Sequence, residues 1–126
     1  MARVTLSPAT SADFAELAAR SPNTPPLPKV QTIAIAGKVD GRVIAIGGVC
    51  FLPNGQRHAF ADIGDEARKF PIALHKAALA TIALAKQYRV KRLTAVAAEP
   101  VEVAERWLLR LDFRKEIGSG NYVLDL

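Results

Sequence analysis

The fold of this chain is decided by the stretch AFADIGDEARKFPIALHKAALATIALAK, residues 59–86. Its first five residues, Ala59–Ile63, alternate weakly between small or apolar and polar side chains, as a half-buried strand does. The basic turn Gly64–Phe70 breaks this strand. Pro71 then begins a run of good helix formers, and proline is favoured at the first helical position. Because a helix N-terminus carries free N–H groups and the positive end of the helix dipole, this strand, turn and helix predict an anion site, most often for phosphate.

Length and composition restrict the class of protein. The chain has 126 residues, of which 50% are hydrophobic, so we expect one folded domain over residues 1–126 rather than a disordered chain. The formal charge of +5 favours acidic partners such as phosphates or nucleic acid. Cys50 is the single cysteine and cannot form an internal disulfide; we expect it to be a small buried residue. Neither a membrane-spanning run nor a signal peptide is recognisable, which predicts a cytoplasmic protein with no membrane partner.

The elements before the deciding stretch are a short strand, a helix and an antiparallel meander. The strand is expected at Arg3–Leu6, and Ser11 can cap a helix through Asp13–Arg20. Residues 21–28 hold four prolines and predict a loop. The meander strands are expected at Val30–Ala36, Arg42–Phe51 and Arg57–Ile63.

Glycines punctuate the meander. Asp40-Gly41 is a strong signal for a hairpin turn between its first two strands. The second strand is apolar on both faces and should therefore be central. Gly47-Gly48 inside it predicts either a bulge or a close approach of another chain or a ligand to the backbone.

The C-terminal part continues with a strand, a helix and a hairpin. Leu93–Ala97 should be a short buried strand, parallel to its neighbour because a helix precedes it. Val101–Leu111 has apolar residues at helical spacing, and Arg114–Ile117 and Asn121–Leu126 predict a final hairpin. The sequence therefore predicts an α+β fold with a mixed, mostly antiparallel sheet of six or seven strands and helices on both faces.

The order of these elements resembles the GNAT superfamily of acyl-CoA-dependent N-acetyltransferases from about residue 30 to residue 126. In that family the phosphate turn reads Arg or Gln, two residues, Gly, one residue, Gly or Ala. Arg68 and Ala73 occupy the matching places here, and Pro71 stands at the first glycine. Leu111-Asp112-Phe113 is similar to the family's Leu-Gly-Phe after the closing helix, with aspartate in place of glycine.

The resemblance implies an acetyl-CoA cosubstrate and an amine acceptor. The pantetheine arm would lie along Ala61–Ile63, with Ala61 and Ile63 as binding residues, where the strands splay. The pyrophosphate would be held by backbone amides, with charge added by two side chains. The amides are those of Lys69, Phe70, Ile72 and Ala73, and the charged side chains are those of Arg68 and Lys69. The candidates for the general base that takes the amine proton are Asp62, His58 and Asp65.

Three positions depart from the family pattern. Pro71 has no N–H to offer a phosphate, and Val101 and Leu108 stand where many members have an asparagine and a tyrosine. These departures leave an alternative open: a catalytically inactive GNAT-like binding or structural module, such as the compact degenerate members that phages encode.

Several residues also have a purely structural interpretation. Asp62 and Asp65 are placed as strand-end and helix-start carboxylates would be, and His75 as a packed or surface side chain. No His or Cys cluster has metal-ligand spacing. The basic run of Lys86, Arg89, Lys91 and Arg92 is more typical of a charged helix exit than of a nucleic-acid site, because no interleaved aromatic platform accompanies it, so we do not expect nucleic acid as a partner. Pairing of sheet edges into a homodimer stays open.

Overall fold

The computed structural model describes residues 3–20, 30–97 and 101–126, which form a seven-stranded sheet in the order β1-β2-β3-β4-β5-β7-β6. The strands are β1 (Val4–Pro8), β2 (Gln31–Val39), β3 (Arg42–Phe51), β4 (Arg57–Ile63), β5 (Arg92–Ala95), β6 (Arg114–Lys115) and β7 (Tyr122–Asp125). The α-helices are α1 (Ser11–Arg20), α2 (Pro71–Gln87) and α3 (Val101–Arg110). Only the β4–β5 pair is parallel among these strands. The predicted α+β fold with a mixed, mostly antiparallel sheet is confirmed.

The helices divide between the two faces of the sheet. Phe14 and Leu17 of α1 pack against Val43 and Ile46 of β3, and this side of the sheet is called the α1 face. The opposite side, called the α2/α3 face, carries the largest core cluster. That cluster is built on Val49, Ala85, Val90, Leu93, Ala95, Leu111, Phe113 and Tyr122. Burial of these apolar side chains on both faces is the main force that holds the helices to the sheet.

The β2–β3 hairpin turns at Asp40 and Gly41, whose φ angles of 50° and 78° are those of a two-residue type I′ turn. The register shifts between Gly37 and Lys38, opposite Ala45 and Val43, so the bulge lies there and not at Gly47-Gly48. The glycine pair instead permits close packing within the chain. A Cβ on Gly47 would lie 3.4 Å from Thr81 Oγ1 of α2, and one on Gly48 would lie 2.3 Å from the Ile33 carbonyl oxygen.

Local hydrogen bonds fix the helix ends. The cap of α1 is Thr10 rather than Ser11, because Asp13 N–H donates to Thr10 Oγ1 (3.2 Å) and Thr10 N–H donates to Asp13 Oδ2 (2.9 Å), as in a capping box. After α3, Asp112 has a φ of 72° and Phe113 N–H donates to the Leu108 carbonyl (3.0 Å). Aspartate thus adopts the left-handed conformation that glycine adopts most easily.

Element ends differ from the sequence prediction by a few residues. The first strand runs Val4–Pro8, the second extends to Val39, and the fifth is Arg92–Ala95 rather than Leu93–Ala97. The final hairpin is shorter than expected, whereas β3 and β4 have the predicted bounds. The predicted loop at residues 21–28 lies outside the described residues. In the part of the chain that is described, no helix is long and apolar enough to cross a membrane.

Candidate functional site

A gap opens between β4 and β5. The two strands share a single bridge, His58 opposite Thr94. Beyond it β4 continues to Ile63, whereas β5 ends at Ala95, so the last five residues of β4 have no strand partner on that side among the described residues. The sheet is therefore continuous up to His58 and split after it.

The backbone of β4 directs polar groups into this gap. Gly64 N–H donates to the Ile44 carbonyl (2.9 Å), which makes this opposed pair a hydrogen-bonded one in the β3–β4 register. Hydrogen-bonded and non-hydrogen-bonded pairs alternate in an antiparallel ladder. Residues 62, 60 and 58 therefore direct their N–H and C=O groups toward β3, and Ala61 and Ile63 direct theirs into the gap. These are two of the predicted binding residues.

The turn after β4 is a 3₁₀ helix, Asp65–Lys69, followed directly by α2. Phe70 N–H donates to the Ala67 carbonyl (2.9 Å). In the i to i+3 hydrogen-bond pattern of a 3₁₀ helix, the Lys69 N–H likewise donates to the Glu66 carbonyl. The predicted use of these two amides for a phosphate conflicts with these bonds. Because Leu74 N–H donates to the Phe70 carbonyl (3.0 Å) and Pro71 has no N–H, the amides at the start of α2 that have no partner among the described residues are those of Ile72 and Ala73.

The Phe70 ring packs against the core cluster of Val39, Ile44, Ala45 and Ala67, and belongs to the core. Arg68 and Lys69 are exposed, and neither has a carboxylate within salt-bridge distance in the described residues. Glu66, the nearest acidic neighbour in sequence, is bound to Arg42 (2.6 Å). Two cations and two free amides thus lie together at the positive end of α2.

The two candidate bases of β4 lie on the α1 face. Asp62 is opposite Ile46, and His58 is opposite Cys50, so both side chains share that face with the α1 contacts. Burial raises the pKa of the Asp62 carboxyl and lowers the pKa of the His58 imidazole. Since strands rise about 3.3 Å per residue, the two Cα atoms are about 13 Å apart and cannot serve the same reacting atom. Asp65 is exposed at the start of the 3₁₀ helix.

Thr94 is a site residue that the sequence did not reveal. Its Oγ1 lies 3.1 Å from His58 Nδ1, accepts a hydrogen bond from Gln56 Nε2 (2.8 Å) and lies 3.4 Å from the Arg57 carbonyl oxygen. Gln56 and Thr94 are far apart in sequence and meet only through the parallel pairing of β4 and β5. No local motif could have predicted this contact.

Two of the three positions at which the family pattern is broken, Val101 and Leu108, lie in α3. Val101, the first residue of α3, is exposed, whereas Leu108 packs against the cluster on the α2/α3 face. Tyr122 of β7 donates its hydroxyl hydrogen to the Glu105 carboxylate, and this bond raises the pKa of the Tyr122 phenol. The carboxylate of Glu105 on α3 is therefore engaged with Tyr122 of β7.

The structure also bears on His75 and on metal binding, both of which lie outside the gap. His75 Nδ1 is buried without a hydrogen-bond partner among the described residues, which is consistent with a packed side chain. Within the described ranges, no group of three His, Cys, Asp or Glu residues is arranged to hold a metal ion.

Two aromatic side chains lie together beside the C-terminal end of α2. The Arg57 guanidinium lies 4.6 Å above the Phe51 ring, and Tyr88 meets that ring edge-on with centroids 6.3 Å apart.

No protein-family model and no curated protein sequence matches this chain. Solved structures do match. An acetyltransferase of the GNAT family from Staphylococcus aureus has a TM-score of 0.74 at 11% identity, over 98% of this chain and 99% of that one. An IAA acetyltransferase from Bacillus cereus has a TM-score of 0.74 at 12% identity, over 98% and 100% of the two chains.

The GNAT domain of S. lividans PAT is similar to the same extent, with a TM-score of 0.71 at 15% identity over 99% of this chain and 90% of that one. Because the structures align over nearly the whole chain while the sequences are only 11–15% identical, the similarity is one of backbone architecture. The resemblance noted in the sequence is therefore confirmed at the level of the fold: this chain has the fold of the GNAT acetyltransferases.

Proposed function

We propose that this protein is an acyl-CoA-dependent N-acyltransferase that uses acetyl-CoA as donor and an amine as acceptor. The observation that carries the proposal is the split between β4 and β5, with the backbone groups of Ala61 and Ile63 directed into it and the N-terminus of α2 at its open end. An extended, amide-bearing arm can pair with such a strand edge, and an anion can bind to such a helix end.

The residues of the open end fit a pyrophosphate. The amides of Ile72 and Ala73 are free donors, and the side chains of Arg68 and Lys69 supply positive charge. Acetyl-CoA would supply a thioester, which is an activated form of the acetyl group. The part of β4 between Ile63 and His58 spans about 17 Å, and an extended pantetheine arm is of comparable length. The thioester would accordingly lie near the bridge of His58 and Thr94.

This placement favours His58 over Asp62 as the general base. The His58 imidazole lies where the strands part, whereas Asp62 lies at the phosphate end. A lowered pKa keeps the imidazole neutral, which is the form able to accept a proton from an amine.

Thermal unfolding with and without acetyl-CoA tests binding. A ligand at 100 times its Kd adds about 2.7 kcal/mol of stability and raises the unfolding midpoint by several degrees. The double variant Arg68→Gln/Lys69→Gln should lose most of this shift. Lys86→Gln/Arg89→Gln removes the same charge at the other end of α2 and should keep it. Equal shifts in both variants would contradict the proposed phosphate site.

A second candidate function is a catalytically inactive module that binds without acyl transfer. The specific observation in its favour is Leu108, an apolar residue packed in the core where many family members have a tyrosine. Release of free thiol on a panel of amines separates the two candidates. Thiol release that depends on the amine supports the transferase, and a thermal shift with no release on any amine supports the module.

A further inference from the structure

We propose that Thr94 and Gln56 are positioning residues that hold His58 in the tautomer with hydrogen on Nδ1, so that Nε2 is left free as the base. The inference rests on the proposed function for its catalytic consequence, but the tautomer itself is a property of the free protein. It is carried by the hydrogen bonds of one hydroxyl group at the bridge between β4 and β5.

The Thr94 hydroxyl has a single hydrogen and can donate only one hydrogen bond. Gln56 Nε2 can only donate, so at 2.8 Å it occupies one lone pair of Thr94 Oγ1. The Arg57 carbonyl oxygen can only accept, so the contact at 3.4 Å requires the hydroxyl hydrogen. The third contact, 3.1 Å to His58 Nδ1, then has to be donated by the imidazole. This arrangement is the one that satisfies all three contacts.

The opposite arrangement leaves one contact unsatisfied. If Thr94 donated to His58 Nδ1, the hydrogen of the neutral ring would lie on Nε2, and the Thr94 hydroxyl would have no hydrogen left for its contact with the Arg57 carbonyl oxygen. Nε2–H can donate but cannot accept a proton from an amine. The tautomer with hydrogen on Nδ1 can therefore act as a base through Nε2, and the tautomer with hydrogen on Nε2 cannot.

Within residues 3–20, 30–97 and 101–126, the surroundings of the His58 ring supply no competing hydrogen-bond partner for Nδ1. Across the sheet, His58 faces Cys50 on β3, whose sulfur lies 3.8 Å from Thr32 Oγ1. On its own strand, the next carboxylate on the same face is Asp62, about 13 Å away at Cα. His58 forms no salt bridge in the described residues. The Thr94 hydroxyl thus remains as the group that selects the tautomer.

The test is a measurement of ring nitrogen chemical shifts by NMR on the full chain above pH 7. The chain has two histidines, and the spectrum of His58→Gln identifies the signals of His58. We expect hydrogen on Nδ1 in the native protein and in Thr94→Ser, which keeps the hydroxyl. In Thr94→Val, which has the same shape without it, we expect a shift toward Nε2–H. Gln56→Ala should have a smaller effect in the same direction.

Thr32→Val is the matched control, since it removes a hydroxyl from the same face without touching His58. Hydrogen on Nε2 in the native protein, or no change in Thr94→Val, would overturn the inference. In acyl-transfer assays Thr94→Val should lower kcat by about 10- to 100-fold with little change in KM for acetyl-CoA, as partners that orient functional histidines do. If the native protein has the expected tautomer but kcat is unaffected in Thr94→Val, only the positioning role of Thr94 is overturned. Absence of any transfer by the native protein overturns the proposed function instead, and leaves the tautomer result intact.

Discussion

Burial acts in opposite directions on the two titratable side chains of β4. It disfavours the charged form of each, so it lowers the pKa of the His58 imidazole and raises the pKa of the Asp62 carboxyl. At neutral pH the first residue is therefore a neutral base, whereas the second is a carboxylate held in an unfavourable environment. These two residues consequently differ in what their removal should do.

Asp62→Asn should raise the free energy of unfolding at pH 7. The folded-state pKa lies above the ordinary value of 3.8, so the folded protein loses stability as pH rises through the interval between the two values. Asparagine removes that loss. Urea unfolding at pH 7 and at pH 4 should show a larger gain at pH 7. Asp65→Asn, which neutralises an exposed carboxylate, should give no comparable gain, and a destabilised Asp62→Asn protein at pH 7 would count against this reasoning.

His58→Gln should lower kcat for acyl transfer by about 10²- to 10⁴-fold, the usual contribution of a general base. In the native protein, kcat/KM should rise with pH through a pKa below 6.5 and then level off, because burial lowers the pKa of the imidazole and the neutral form is the active one. Asp62→Asn should keep this profile. If the pH dependence of kcat/KM is unchanged in His58→Gln, the rise of kcat/KM with pH would belong to another group.

At the scale of elements, Gly47 and Gly48 make a clear pair for mutation. A Cβ on Gly48 would clash with the Ile33 carbonyl oxygen at 2.3 Å and with Ala34 Cβ at 2.9 Å, both of them rigid parts of β2. A Cβ on Gly47 would meet Thr81 Oγ1 at 3.4 Å, an ordinary contact. We expect Gly48→Ala to cost about 1–3 kcal/mol, as overpacking does.

Gly47→Ala is the control and should change the free energy of unfolding by less than about 1 kcal/mol. Thermal or urea unfolding of both variants measures the difference. Equal stabilities of the two alanine variants would show that β2 and β3 can separate locally without cost.

The elements themselves were largely predictable from sequence because their signals are local. Asp40-Gly41 predicted the hairpin turn, Pro71 predicted the start of α2, and both are confirmed. Features set by neighbouring elements were not predictable. The bulge near Gly37 depends on how β2 meets β3, and the contact of Thr94 with His58 depends on the β4–β5 bridge. The occupied amides of Lys69 and Phe70 follow from a 3₁₀ helix that the sequence indicated only as a turn.

At the scale of the whole molecule, the positive charge is concentrated around α2. Residues 67–98 contain no Asp or Glu, and their cations are Arg68, Lys69, Lys76, Lys86, Arg89, Lys91 and Arg92. In the part of the chain that the structure describes, all of the acidic side chains that form salt bridges lie on other elements, at Asp13, Glu16, Glu66 and Asp125. Arg68 and Lys69 thus add positive charge at the start of α2, whereas Lys86, Arg89, Lys91 and Arg92 add it at the opposite end.

The fold is preserved at sequence identities near 11–15% because it depends on the spacing of apolar residues and turns rather than on particular side chains. The proposed function depends on the groups that line the gap. Most of the groups that would bind coenzyme A there belong to the backbone. A backbone site leaves little trace in the sequence, which explains why the family motif is only partly recognisable around Pro71.

The central claim is that coenzyme A binds with its pyrophosphate at the start of α2 and its arm along β4. The most direct measurement is a titration of the isotope-labelled protein with coenzyme A, followed through its backbone amide signals. The account predicts the largest shifts at the amides of Ala61, Ile63, Ile72 and Ala73. Shifts confined to other parts of the chain, or none at millimolar coenzyme A, would contradict it.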